Sequence, residues 1–311
     1  MSSEITTAFV KQFSANVFHL SQQQGSKFSG LVRNEQQQGK SAFYERIGAA
    51  TAVKRTSRHA DTPQIDSAHS RRRVTLVDYE WADLIDDTDK LRMLIDPTSD
   101  YAQAAVWALG RAKDDVIIEQ ALGTAYGGED GSSSVALTTS QRMAAFDGSG
   151  TANLNLQTLR KVKEKFDAND IDESIPRHIA IGSSQLNSLL GETSVTSSDF
   201  NSVKALVQGE INTFLGFNFI RSERLNALTA TQTYDQSNGS LTSASDATAP
   251  VGARKCFAWA QDGLLMATAK DVQGKISERA DKSYSTQVYA SMSIGATRME
   301  EEKVVEIICT E

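Results

Sequence analysis

The chain is short of cysteine, proline, histidine and long apolar runs, and each shortage removes a class of protein. Only Cys256 and Cys309 occur in 311 residues. Two thiols so far apart in sequence build no disulfide framework, and a reducing compartment is the simpler setting. No apolar run approaches the ~18 residues of a membrane span. Met1 to Leu20 also lacks the layout of a secretory signal, because Glu4, Lys11, Gln12 and Asn16 interrupt it. Four prolines are few for this length, where ~5% is usual. A net charge of −7 argues against a chain that coats nucleic acid with its whole surface. What remains is a hydrophobic content of 40%, enough for a packed core, over a length that suggests about two domains.

The most informative stretch runs from residue 41 to 126. Two β-prone runs, Ser41 to Arg55 and Arg72 to Trp81, flank a polar tip, Ser57 to Ser70, that has no apolar cluster to tie it down. A two-stranded ribbon is marginal in water by itself, so a ribbon this long is expected to lie on a neighbouring molecule. In the second run Thr75, Val77, Tyr79 and Trp81 share one face and Val74, Leu76, Asp78 and Glu80 the other. A helix is predicted over 97–122, with Asp96 as N-cap, Pro97 at the first helical position and Gly123 as terminator.

Around this stretch the pattern changes. Residues 1–40 read as an arm: one short amphipathic helix (Phe9, Phe13, Val17), then glutamine- and glycine-bearing extended material with no core of its own. The middle alternates helices and strands as an α/β unit does. Its helices carry Leu156, Leu159, Val162 and Phe166, then Leu186, Leu189 and Leu190 capped by Ser183 or Ser184, then 201–211. Its strands are His178 to Gly182 and Phe214 to Arg221. Residues 226–254 read as a surface loop, and Cys256 to Ala269 as a hairpin turning at Asp262-Gly263. Strands over 283–294 and 304–309 close the chain, with the long helix as their cover and Cys309 as a small core residue.

No catalytic or metal signature emerges. Gly39-Lys40-Ser41 fails as a phosphate loop because Asn34 stands where that motif needs glycine. There is no G-x-S-x-G, H-E-x-x-H or C-x-x-C. His59 and His69 near Asp61 and Asp66 match no zinc spacing, and Asp83, Asp86, Asp87 and Asp89 lack the central glycine of a calcium loop. Hence no cofactor, metal or catalytic residue is assigned.

Charge blocks say more. From Lys54 to Arg73, six basic residues (Lys54, Arg55, Arg58, Arg71, Arg72, Arg73) face two acidic ones, a balance of +4. From Asp78 to Asp100, eight acidic residues face two basic ones, a balance of −6. The candidate subunit contacts are therefore Lys54, Arg55, Arg58, Arg71, Arg72 and Arg73 of one copy against Asp83, Asp86, Asp87 and Asp89 of the next, with Tyr79 and Trp81 beside them. Compensation inside the hairpin stem is the competing account.

The order of arm, hairpin, long helix, α/β insertion and returning strands resembles the major capsid proteins of tailed bacteriophages. So do the segments Gly39-Lys-Ser-Ala-Phe-Tyr-Glu-Arg-Ile-Gly, Arg55-Thr-Ser-Arg-His-Ala-Asp-Thr-Pro, Ser70-Arg-Arg-Arg-Val-Thr-Leu-Val-Asp-Tyr-Glu-Trp and Leu94-Ile-Asp-Pro-Thr-Ser. The resemblance implies an α+β chain of the Hong Kong 97-type capsid fold. By it, residues 1–40 are the N-terminal arm, 41–82 the extended loop, and 83–150 the peripheral domain with its spine helix. Residues 151–270 form the axial domain, and 271–311 return to the peripheral domain. The implied product is a virion shell of hexamers and pentamers around double-stranded DNA, built from subunits made in the host cytoplasm. The implied partners are further copies of the chain, a separate scaffolding protein, a portal, packaged DNA held without sequence preference and a possible decoration protein, with no membrane. An encapsulin-like compartment shares the fold. An α/β hydrolase or transferase in 155–221 and a DNA-binding protein using Lys54 to Arg73 are readings of other classes.

Overall fold

The computed structural model describes residues 22–59, 61, 62, 64–86, 98–147, 152–192, 213–241 and 247–310. The predicted helices at Phe9 to Val17 and at 201–211, and the Asp96-Pro97 helix start, lie outside the described residues.

Strands β1 (Arg33–Gln36), β2 (Ser41–Ile47), β3 (His69–Thr75) and β4 (Val77–Ile85) precede helix α1 (Thr98–Leu122). Three short strands follow: β5 (Ala125–Gly127), β6 (Ser133–Val135) and β7 (Arg142–Ala144). Helix α2 (Leu156–Ala168), strand β8 (Arg177–Ile181) and helix α3 (Ser183–Gly191) come next. Then come β9 (Thr213–Phe214), β10 (Phe217–Arg221), β11 (Gln232–Tyr234) and β12 (Ala247–Ala249). The chain closes with β13 (Arg254–Ala260), β14 (Leu264–Arg279), β15 (Ser285–Arg298) and β16 (Val304–Cys309). Among the described residues this is an α+β chain, as predicted.

Two compact units emerge. The larger comprises 27–77, 114–269 and 294–311, and is built on a six-stranded sheet in the order β7-β16-β13-β8-β10-β9. Its central strands are apolar on both faces, and β8, β13 and β16 are almost wholly buried. Such two-sided burial explains why they read as continuous runs and not as alternation. Helix α2 lays Leu159, Val162 and Phe166 on this core, and the Asn155 side chain caps it by accepting from the Thr158 amide at 2.8 Å. Phe28, Phe257 and Trp259 stack at its centre with ring centroids 4.8–6.1 Å apart, and the Trp259 indole donates to the Leu31 carbonyl at 3.0 Å.

That cluster corrects one expectation. Residues 27–36 are not coreless arm: Phe28 and Val32 are buried, the Asp114 carboxylate accepts from the Lys27 and Phe28 amides at 3.0–3.2 Å, and β1 pairs in parallel with the start of β14. Two apolar side chains sufficed, because the core they enter is formed by distant residues, Ile117 some ninety positions away and Phe257 and Trp259 more than two hundred.

Other local readings also change. No hairpin forms over 256–269, since β13 pairs with β8 and β16 while β14 joins another sheet. Asp262-Gly263 lies in a 3-10 turn whose Asp262 carboxylate accepts from the Lys303 ammonium at 2.5 Å. Phe214 to Arg221 is not one strand but a tight hairpin. Leu215 (φ 52°) and Gly216 (φ 84°) both take the left-handed conformation that a two-residue turn demands. Residues 226–254 hold the small antiparallel pair β11-β12 and bury Leu228 and Tyr234. Helix α3 is capped not by a serine hydroxyl but by Glu223, whose carboxylate accepts from the Ser183 amide at 2.6 Å. At the end of α1, a Cβ on Gly123 would sit 2.6 Å from the Glu119 carbonyl oxygen, so glycine is required there.

The smaller unit comprises described residues 22–26, 78–86, 98–113 and 270–293. The outer half of β15 runs between that of β14 and β4, with the Asp78 carboxylate accepting from Ser293 and that of Asp86 from Ser285. Those two contacts make β4 antiparallel to β15. Helix α1, roughly 37 Å long for its 25 residues, starts in this unit and ends in the larger one.

Candidate assembly surface of the hairpin

The hairpin is held at its stem and free at its tip. Strands β2 and β3 pair antiparallel from Ser41↔Thr75 to Ile47↔His69. They join β5 and β6 in a four-stranded sheet of the larger unit, with Arg72↔Gly127 and Arg73↔Tyr126 in register. Gly127 and Gly131 permit this approach, since a Cβ would meet the Arg72 guanidinium at 2.9 Å from Gly127 and Arg73 Cδ at 2.6 Å from Gly131. The regular face expected over 74–81 is broken at Leu76. In β3 the even positions 72 and 74 are buried, whereas in β4 the odd positions 79, 81 and 83 are half-covered. The break leaves Thr75 and Val77 exposed.

Glu301 organises the stem. Arg72 is 4% exposed and its guanidinium meets the Glu301 carboxylate at 2.5 Å. Arg298, fully buried, lies 3.7 Å from the same carboxylate and donates to the carbonyls of Ala121, Gly123 and Val135 at 2.8–3.1 Å. Arg46 completes the ring at 3.8 Å and also donates to the Met299 carbonyl. Burial lowers the pKa of both Arg72 and Arg298, and Glu301 opposes the shift by stabilising their charge. Arg71 lies over the Phe43 ring at 5.6 Å and Arg73 over the Tyr126 ring at 5.3 Å. The triple arginine is therefore engaged inside its own subunit, and Arg72 is spoken for. Sequence reasoning missed Glu301, Arg298 and Arg46; the run Glu300-Glu301-Glu302 between two apolar strands was the available signal.

Beyond Ile47 the character changes. Residues 48–59 form no regular structure and are exposed, with Ile47 69% and Val53 58% accessible. Lys54, Arg55 and Arg58 stand there with no carboxylate partner among the described residues; the Arg55 side chain donates only to the Ser57 carbonyl at 2.9 Å. At the stem, against the β5–β6 turn, lies an open cleft of about 480 Å³ lined by Glu45, His69, Ser70, Arg71, Arg72 and Glu129. It mixes acids and bases without converging on a point.

The acidic candidates lie on or just after β4 of the smaller unit. Asp83 accepts from the Leu84 amide at 2.8 Å, Tyr79 and Trp81 are half-buried, and Asp86 is exposed. Asp87 and Asp89 lie outside the described residues. No three His, Cys, Asp or Glu side chains gather as metal ligands among the described residues, and no helix there is long and apolar enough to cross a membrane. The two thiols are both buried, with Cys309 beside Cys256, and that contact and burial raise the Cys309 pKa.

The family model described as "Phage capsid protein" matches residues 5–311. No curated protein sequence matches. Among solved structures, the capsid of cyanophage P-SCSP1u superimposes with a TM-score of 0.72 at 18% identity, covering 99% of this chain and 94% of the other. The capsid of Ralstonia phage GP4 gives 0.70 at 9% identity, covering 97% and 95%. That of cyanophage Pam1 gives 0.69 at 15% identity, covering 98% and 97%. These likenesses show the fold, which is the capsid fold expected from the sequence. Nothing in them favours an enzyme-holding compartment or a hydrolase. From Ile5 onward, then, this chain belongs to the phage capsid protein family, and the protein is a major capsid component of a phage virion.

Proposed function

We propose that copies of this chain close into the hexamers and pentamers of an icosahedral shell around double-stranded DNA, and that its role is structural and not catalytic. The observation that carries the reading is the hairpin tip: twelve residues, 48–59, exposed and outside any regular element, tied back through the Gly48 amide on the Ala68 carbonyl at 2.7 Å, and bearing three cations that no carboxylate meets among the described residues. A neighbouring copy supplies the missing surface. The basic tip (Lys54, Arg55, Arg58) lies against the acidic stretch of the next copy, with Asp83, Asp86, Asp87 and Asp89 as counter-charges and Tyr79 and Trp81 as apolar flank. Arg71 and Arg73 contribute at the rim, and Arg72 serves folding. The arm, loop, peripheral, axial and returning segments divide as the family resemblance implies.

A separate scaffolding protein and a portal are proposed to guide closure, with a decoration protein outside. The net charge of −7 speaks against a chain that grips DNA, and packed DNA needs only an inner wall that tolerates it. Gel filtration and electron microscopy of the full chain, alone and with its scaffold and portal, test this. Closed particles are expected; a chain that stays monomeric under every condition overturns it.

A further inference from the structure

In the smaller unit, β14 has a neighbour on one side only. Past Thr268 it leaves β1, and among the described residues nothing pairs with the outer edge of Lys270 to Arg279. Its faces are open too: residues 273–278 are all exposed, Ile276 by 58%, whereas the adjacent β15 is largely buried. A naked strand edge is a template for another strand.

We propose that this edge pairs with the same edge of a second copy, antiparallel, across a two-fold axis at Gly274. The commitment to a second copy comes from the sequence of the edge, Lys270-Asp-Val-Gln-Gly-Lys-Ile-Ser-Glu-Arg. Reversed about Gly274 it becomes its own complement. Lys270 falls opposite Glu278, Asp271 opposite Ser277, Val272 opposite Ile276 and Gln273 opposite Lys275, each twice by symmetry. Within the subunit Lys270 donates to the Ser291 hydroxyl at 2.8 Å and Asp271 accepts from Lys113 at 2.7 Å, so the Lys270–Glu278 pair adds to a contact already made. Gly274 meets Gly274 with no side chain between. Opposite charges and apolar pairs facing across strands both stabilise pairing. Neighbouring registers fail. One slip sets Lys270 against Arg279 and Asp271 against Glu278; the other sets Asp271 against Ile276 and Val272 against Lys275. The subunit itself does not demand glycine here, since a Cβ at 274 would meet nothing closer than the Tyr289 carbonyl oxygen at 3.9 Å.

The contact rests on the shell reading above and adds to it. Rings are built from head-to-tail contacts, while a self-complementary edge lies on a two-fold. This edge therefore joins one ring of subunits to the next. Ten residues a side fall well short of the ~1,000 Å² a stable free dimer needs, so the pairing is expected in particles and not in isolated subunits.

Engineered cysteines test it in particles of the full chain. Opposed residues of antiparallel strands are about 4.5–5.5 Å apart at Cα, within disulfide reach. Gly274→Cys particles, mildly oxidised with diamide, are expected to give covalent dimers on a non-reducing gel. Val272→Cys, about 14 Å from its own copy along the strands, is expected to give none. The native thiols are buried and add no background. Glu278→Lys, which sets like charges together, is expected to lower particle yield, and the swap Lys270→Glu/Glu278→Lys to restore it. Well-formed Gly274→Cys particles that stay monomeric on the gel overturn this edge and leave the shell reading standing, as does a swap that restores nothing. If the unmutated chain forms no particle, the shell reading falls and takes this contact with it.

Discussion

In the hairpin stem, Arg72 is sealed against Glu301, while further out Lys54, Arg55 and Arg58 stand in water with no counter-charge among the described residues. Both groups belong to one basic block in sequence. The difference lies in desolvation. A buried guanidinium is tolerable only with a carboxylate and hydrogen bonds around it, and the turn after β15 provides them. A solvated cation needs nothing and contributes little until a partner arrives. Equal charges thus divide between holding the subunit together and presenting a surface.

The most severe way to break this comparison is Glu301→Ala, which leaves the buried Arg72 and Arg298 unpaired. It is expected to cost about 3–5 kcal/mol in urea unfolding of the unassembled chain. Arg73→Ala removes one cation–π contact with Tyr126 and should cost about 0.5–1 kcal/mol by the same measurement.

His178 sharpens the contrast from the opposite direction, as a buried base without an acid. It is 4% exposed, packs on Trp259 at 5.4 Å between centroids, and its Nδ1 has no hydrogen-bond partner among the described residues. Burial lowers its pKa, so the folded state favours the neutral ring. Between the lowered folded value and the ordinary one near 6.5, the unfolded chain binds more protons, and stability falls as pH falls through that window. The Tm of the chain should drop from about pH 7 to about pH 5, and His178→Gln should flatten that drop. A profile unchanged by the substitution would assign it elsewhere.

The smallest effect on the subunit, and the largest on the particle, is expected at the tip. Lys54→Glu/Arg55→Glu/Arg58→Glu should shift unfolding by no more than about 0.5 kcal/mol, yet particle yield by electron microscopy should collapse. Normal particles would show that the exposed cations play no part in assembly.

Much of this was open to sequence reading. Positions apolar at helical spacing, Leu159, Val162 and Phe166, did become the buried face of α2. The end of α1 at Gly123 and the strands over 177–181 and 304–309 also followed from local chemistry. Turn identity was harder. Leu215-Gly216 hides a hairpin, because leucine is not a residue whose positive φ can be anticipated. The acidic run at 300–302 hinted at Glu301 but not at its partners, because Arg46 and Arg72 reach it from 255 and 229 positions away in sequence.

By itself, the order of residues determined which segments are apolar on one side, which on both, and where charge of one sign accumulates. Those properties depend on composition and spacing, which a chain carries whether folded or not. Only the tertiary structure decided which arginines are sealed and which are offered outward, and that Cys256 to Ala269 parts into two sheets where a hairpin seemed written. The reason is physical: desolvation and strand pairing depend on what arrives from elsewhere in the chain, and no local pattern records the arrival.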